Sequence, residues 1–187
     1  MRVIAGRLGG RRLRAPAGRG TRPTSDRVRE ALFSMLGDVE GAVVLDLFAG
    51  TGALGIEALS RGARRAVFVE REPQAARVLA ANLTELELHE PVAELRRTDA
   101  RAAMRTARER AETYDLLFID PPYRQTGAWG RDLATTLPEL LAPGARIVVE
   151  SDRRAAPELG DLAASAGLTI ERQRRYGDTS ITIHRRQ

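Results

Sequence analysis

Short apolar runs and helical stripes alternate along most of this chain. Val43–Phe48 and Ala66–Glu70 are β-branched-rich runs bounded by turn residues, and each is too short for a buried helix. Their near-continuous apolarity predicts strands covered on both faces, as in a parallel sheet. Between them, Ala53–Arg61 has helical spacing and is stopped by Gly62. Pro73 opens a second helix over Pro73–Leu83, a weaker strand follows at Pro91–Thr98, and a helix follows at Ala100–Glu112. Leu116-Leu117-Phe118-Ile119 is the fourth strand, Arg131–Leu141 the next helix and Arg146–Glu150 the fifth strand. A helix at Pro157–Ala166 precedes two last strands, Thr169–Arg175 and Ser180–Arg185, joined by the turn signal Gly177-Asp178. Such alternation predicts an α/β fold with a helix-covered parallel sheet, and the final hairpin adds an antiparallel strand at or near its edge.

Ahead of this core, residues 1–22 read as a separate arm, and residues 23–187 as one domain. Met1–Gly6 and Arg12–Ala15 are expected to pair across Gly9-Gly10 as a small β-hairpin. A hairpin this small is marginal alone and is expected to order on a partner. Thr24-Ser25-Asp26 then offers N-cap residues for a helix whose stripe is Val28, Ala31, Leu32, Met35 and Leu36, with Arg27, Arg29 and Glu30 off it.

Charge sharpens the picture of the arm. All 30 basic residues are arginine, and nine fall in the first 29 positions against one acid, a net +8. The other 158 residues therefore carry about −3. This asymmetry predicts a polyanion partner, with nucleic acid the obvious one. With no cysteine and only His89 and His184, neither a thiolate nucleophile nor a metal site is expected. No apolar run approaches the roughly 18 residues of a membrane span, and the basic N-terminus lacks a signal-peptide core. A cytoplasmic monomer with no membrane association is the expectation.

Two stretches carry chemistry. Gly50-Thr51-Gly52-Ala53-Leu54-Gly55 follows the first strand as a formal G-x-G-x-x-G, and Glu70 stands twenty residues after Gly50. That spacing fits a nucleotide ribose held by an acid, although a plain strand-to-helix turn would look the same. Asp46 weighs against NAD, because its charge would oppose a pyrophosphate at the loop. It favours S-adenosylmethionine, a cofactor with a cationic amino-acid end and no phosphate. Glu70 would then accept the ribose hydroxyls. Asp99-Ala100 would meet the adenine, unless Asp99 only caps the following helix.

The second stretch is Asp120-Pro121-Pro122-Tyr123. The prolines stop the strand and hold an acid and a ring at its carboxyl end, where open α/β sheets bind ligands. An exocyclic base amine is a poor nucleophile because its lone pair is delocalised into the ring. Hydrogen bonds from its N–H groups to the Asp120 carboxylate and the Pro121 carbonyl would aim that lone pair at a methyl donor. Tyr123 offers a stacking face for an extruded base.

Asp46–Gly55, the Asp120–Tyr123 tetrad and Arg22–Glu30 together resemble the RsmD family, and the resemblance spans nearly the whole chain. Members of that family methylate the N2 amine of one guanine in 16S rRNA. The resemblance implies a class I S-adenosylmethionine-dependent (Rossmann-like) sheet of seven strands. It also implies a substrate presented in the small (30S) ribosomal subunit. Asp46, Gly50, Gly52, Glu70, Asp99 and Ala100 would hold the cofactor, and Asp120, Pro121 and Tyr123 the base. Arg7, Arg11, Arg12 and Arg22 would grip rRNA, with Thr24, Asp26 and Arg27 bordering the site. This chain departs from the family in lacking lysine and in an arm that matches loosely. The same tetrad also serves DNA adenine-N6 methyltransferases, though no segment is left over for a DNA-recognition domain. A non-catalytic RNA-binding assembly factor is the reading from another class.

Overall fold

The computed structural model describes residues 1–15, 25–120, 135–152, 167–177 and 179–187. Seven strands form one sheet: β1 (Val43–Asp46), β2 (Arg65–Val69), β3 (Ala93–Arg96), β4 (Tyr114–Ile119), β5 (Leu141–Asp152), β6 (Leu168–Tyr176) and β7 (Thr179–Arg186). Their order is β3-β2-β1-β4-β5-β7-β6. The first five strands run parallel, and β7 is antiparallel to both β5 and β6. The last hairpin thus inserts its second strand next to β5 and leaves β6 at the edge. Leu141, expected to end a helix, instead begins β5; residues 135–140 are helical. The expected helix at Pro157–Ala166 lies outside the described residues, as do 131–134.

Among the described residues, α1 (Asp26–Leu36), α2 (Ala53–Ser60), α3 (Pro73–Glu85) and α4 (Ala100–Glu109) pack around this sheet, together with the helical residues 135–140. One core layer joins α1, α2 and α3 to the sheet through Leu32, Phe33, Ile56, Leu79, Phe68 and Phe118. The opposite layer joins α4 to Leu45, Val67, Leu117 and Ile147. Alternate residues of β1, β2 and β4 feed the two layers, so these strands are buried on both faces and read as unbroken apolar runs.

The arm differs most from expectation. Arg2 and Arg12 form an isolated antiparallel bridge rather than two strands, and residues 1–15 are seated on the domain. Val3 is fully buried and Leu13 nearly so, both within the α1–α3 layer. The Ile4 and Ala5 amides donate to the Glu57 carboxylate of α2 at 2.7 and 3.0 Å. Gly6 passes so close to Ser60 that a Cβ would lie 1.9 Å from its carbonyl oxygen, and φ there is +80°. Only glycine meets both demands.

Arg29 was expected on the solvent side of α1 but is fully buried. Helical spacing alone hides this, because what covers Arg29 is the arm. Its guanidinium donates to the Arg2 carbonyl, pairs with Asp26 at 3.0 Å and approaches Glu57 at 3.8 Å. Glu57, also fully buried, takes a further bond from Arg61 at 2.7 Å. Arm, α1 and α2 therefore meet at one buried ion cluster. Removing one partner leaves the other charge buried and unpaired, which is far costlier than losing a surface pair. Glu57→Ala should lower stability by about 3–5 kcal/mol in denaturant unfolding, and Glu57→Gln should cost less.

Candidate active site

The loop after β1 is shaped by its own backbone first. Gly50 and Gly52 have φ of +54° and +83°, which disfavours other residues. A Cβ on Gly52 would strike the Leu79 side chain at 2.3 Å, and one on Gly55 would strike the Phe68 ring at 2.3 Å. Gly55 lets α2 sit close to β2, and Gly52 lets the loop sit close to α3. A Cβ on Gly50 would meet nothing within 4 Å, so it borders open space, as a ligand-facing position should.

Three bonds pin the loop. The Gly50 amide donates to Glu70 at 2.8 Å, the Gly52 amide to the Ala49 carbonyl at 2.7 Å, and the Asn82 carboxamide to the Thr51 carbonyl at 2.9 Å. Glu70 also accepts from the Glu72 amide at 2.7 Å, which fixes its carboxylate at the end of β2, beside Gly50. Asp46, nearly fully buried at the end of β1, accepts from the Gly55 amide at 3.2 Å. Burial, with help from the nearby Glu70 charge, pushes its carboxyl up to about 7 despite the bond from Gly55.

Asp120 follows β4, the neighbour of β1 on the other side. Burial raises its carboxyl well above the usual range, and the charges of Glu150 and Asp46 raise it further. Glu150, at the carboxyl end of β5, was missed in the sequence. Its signal was the one that marks Glu70: an acid ending an apolar strand. Glu70, Asp46, Asp120 and Glu150 thus stand at the carboxyl ends of four adjacent strands. Such a row is poorly suited to phosphate and well suited to a cationic ligand with hydroxyl groups. Among the described residues no cluster could hold a metal ion.

The other expected residues fall out unevenly. Asp99 caps α4, accepting from the Ala102 amide at 3.0 Å, so the capping alternative holds for that oxygen. Ala100 is buried, and only its backbone could face a ligand. Pro121, Tyr123, Arg22 and Thr24 lie outside the described residues. Arg27 is exposed on the first turn of α1, and Arg12 is exposed on the arm. Arg7 and Arg11 are also exposed, but their guanidiniums donate to the Leu59 and Glu85 carbonyls at the ends of α2 and α3. Crossover helices run opposite to their strands, so those ends lie toward the amino edge of the sheet. The structure therefore does not bring Arg7 and Arg11 to Asp120.

Comparison with known proteins agrees with this arrangement. The chain is 41% identical over 192 residues to YlbH of Bacillus subtilis, spanning the whole of both proteins. It is 34% identical over 198 residues to ribosomal RNA small subunit methyltransferase D of Escherichia coli, across all of this chain and 90% of that one. The solved structure of Escherichia coli yhhF superposes with a TM-score of 0.80 at 31% identity, covering 100% of this chain and 98% of that one. The model of the family described as conserved hypothetical protein 95 matches residues 1–185. On these grounds the chain belongs to that family, the RsmD family.

Proposed function

We propose that this protein transfers a methyl group from S-adenosylmethionine to the N2 amine of one guanine in 16S rRNA, within the small ribosomal subunit. It would act as a cytoplasmic monomer. The observation that carries the reading is the row of carboxylates, with buried Asp46 and half-buried Asp120 at the ends of neighbouring strands, where a cation would relieve both. The family relatives, one of them named for small-subunit rRNA methylation, support the choice of substrate.

The residues fit the cofactor. Glu70 is held where it can accept two ribose hydroxyls, Gly50 leaves room beside it, and Asp46 faces the loop from the β1 side. When bound, the cofactor supplies a methyl group on a positively charged sulfur. Asp120 accepts a hydrogen bond from the target amine and orients its lone pair for in-line attack. The cofactor, held by Glu70, Asp46 and the Gly50 loop, would supply the methyl for a new N–CH3 bond and retain the electron pair of the broken S–CH3 bond. Beside a cation Asp120 ionises readily; once transfer discharges that cation, its proton affinity rises again. Asp120 then takes the proton that the nitrogen gives up. Pro121 and Tyr123 would supply the second amine acceptor and the stacking face.

Incubating under-methylated small subunits with labelled cofactor should place label on one guanine, with duplex DNA left unlabelled. Label on duplex DNA adenine, or none on rRNA, would refute the reading. Asp120→Ala should cut transfer by about 100-fold or more while leaving cofactor affinity near wild type. Loss of both together would mean Asp120 serves the fold.

The raised Asp46 carboxyl gives a pH test. Protonated Asp46 cannot attract the cofactor's ammonium, so affinity should fall as pH drops through about 7, and Asp46→Asn should flatten that dependence. Without cofactor the sign reverses. The folded state holds the Asp46 proton more tightly than the unfolded chain, so its stability falls as pH rises from about 4 to 7. Asp46→Asn should therefore stabilise the free protein at pH 8, by about 2–4 kcal/mol in denaturant unfolding.

A further inference from the structure

The seating of the arm leaves a gap in the proposed function. An RNA that delivers a base to Asp120 needs cations at the carboxyl edge of the sheet, yet Arg7 and Arg11 are spent on helix ends toward the other edge. That edge carries exposed Arg71 and Arg97 after β2 and β3, on the cofactor side; on the β5 side of Asp120, among the described residues, its exposed arginines are on β6. Successive pairings join Ile119 to Val149, Val149 to Thr182 and Thr182 to Gln173. The next row therefore runs Asp120, Glu150, Ile181, Arg174. Arg174 stands level with the candidate catalytic carboxylate, three strand spacings away, or about 14 Å.

Register also fixes which face these side chains share. Arg172 opposes Ile183 and Arg174 opposes Ile181, and both isoleucines belong to the core layer under α1. Tyr176, next in the alternation, packs against the same layer. Arg172, Arg174 and Tyr176 therefore line the α1 face of the hairpin, the side that also carries the arm and Arg27. Arg175 lies on the opposite face beside Ser180. Beyond the Arg174 row the hairpin continues through two more pairs, to Tyr176 opposite Thr179, rising about 7 Å above the level of Asp120.

The chemistry of this wall is unbalanced. Arg172, Arg174 and Arg175 are exposed, and among the described residues none of them meets a carboxylate. Arg65, Arg96 and Arg108, by contrast, are each paired with an acid. A cationic edge strand can simply deter strand pairing with another chain. That role requires no alignment with the active site and no aromatic at the turn.

We propose that β6 is a second RNA-contact surface, on which Arg172 and Arg174 bind backbone phosphates of the RNA flanking the target base. The inference rests on the rRNA reading above. Arginine suits the task because its planar fork donates two parallel hydrogen bonds to a phosphate. The wall lies on the β5 side of Asp120, away from the cofactor loop over β1 and β2, so RNA held there would approach the base pocket without crossing the donor.

The full-length protein tests this with Arg172→Ala/Arg174→Ala against a control pair of exposed arginines, Arg105→Ala/Arg185→Ala, on α4 and at the amino-edge end of β7. Affinity for small subunits is measured from low to moderate salt, with cofactor affinity and unfolding midpoint alongside. The β6 variant should bind about tenfold more weakly, with a salt slope lower by about 1.5, while cofactor affinity and midpoint stay put. An unchanged slope, an equal loss in the control pair, or self-association as the sole change would overturn the proposal. Wild-type protein that methylates subunits while the β6 variant binds them normally would sink this surface alone. Wild-type protein that transfers no methyl to subunits would sink the function on which it rests.

Discussion

Two carboxylates on neighbouring strands share too little water to hold two charges comfortably. Asp46 pairs with Phe118, two residues before Asp120, so parallel β1 and β4 bring both carboxylates to the same edge of the sheet, and both strands are buried on both faces. The covering helices that stabilise the sheet also strip water from its carboxyl ends. The carboxylates at these ends repel one another, and positive charge relieves that repulsion. Binding of a cation is built into the same packing that builds the core.

The arm belongs to that packing too. Glu57 sits on the helix that opens from the cofactor loop, and its buried carboxylate gathers two arm amides, Arg29 of α1 and Arg61 of its own helix. A charge placed so deep is tolerable only while every partner is present. The first residues of the chain thus complete the interior on the α1 side, rather than trailing from it. Much of the basic excess there is consumed structurally: Arg29 is sealed in, Arg14 pairs with Glu85, and Arg7 and Arg11 satisfy helix-end carbonyls.

Much of this was legible in the sequence. Strands β1, β2 and β4 announced themselves as apolar runs, and Gly50–Gly55 with Glu70 announced a ligand loop. The parts that were not legible depend on contacts distant in sequence. Arg29 reads as solvent-facing from helical spacing, because its cover lies 27 residues earlier at Arg2. Leu141 reads as helical until β5 is seen to begin there beside Tyr114. Asp99 carries two readings in any sequence, since an N-cap and a ligand acid look alike; the bond from Ala102 shows that one of its oxygens caps α4. Glu150 needed the strand order, because only pairing of β4 with β5 sets it beside Asp120.

Asn82 shows how narrowly one position can be constrained. Its oxygen accepts the Arg14 amide at 2.8 Å, and its nitrogen donates to the carbonyls of Arg14 and Thr51 at 3.2 and 2.9 Å. A carboxylate would lose both donated bonds, an ammonium the accepted one, and a hydroxyl has a single hydrogen for two carbonyls. Glutamine has the right head group on a stem one carbon too long for a side chain already buried. The hydrogen-bond vocabulary of the site thus spells a single amino acid, and a chain seated in this way leaves its sequence almost no synonym there.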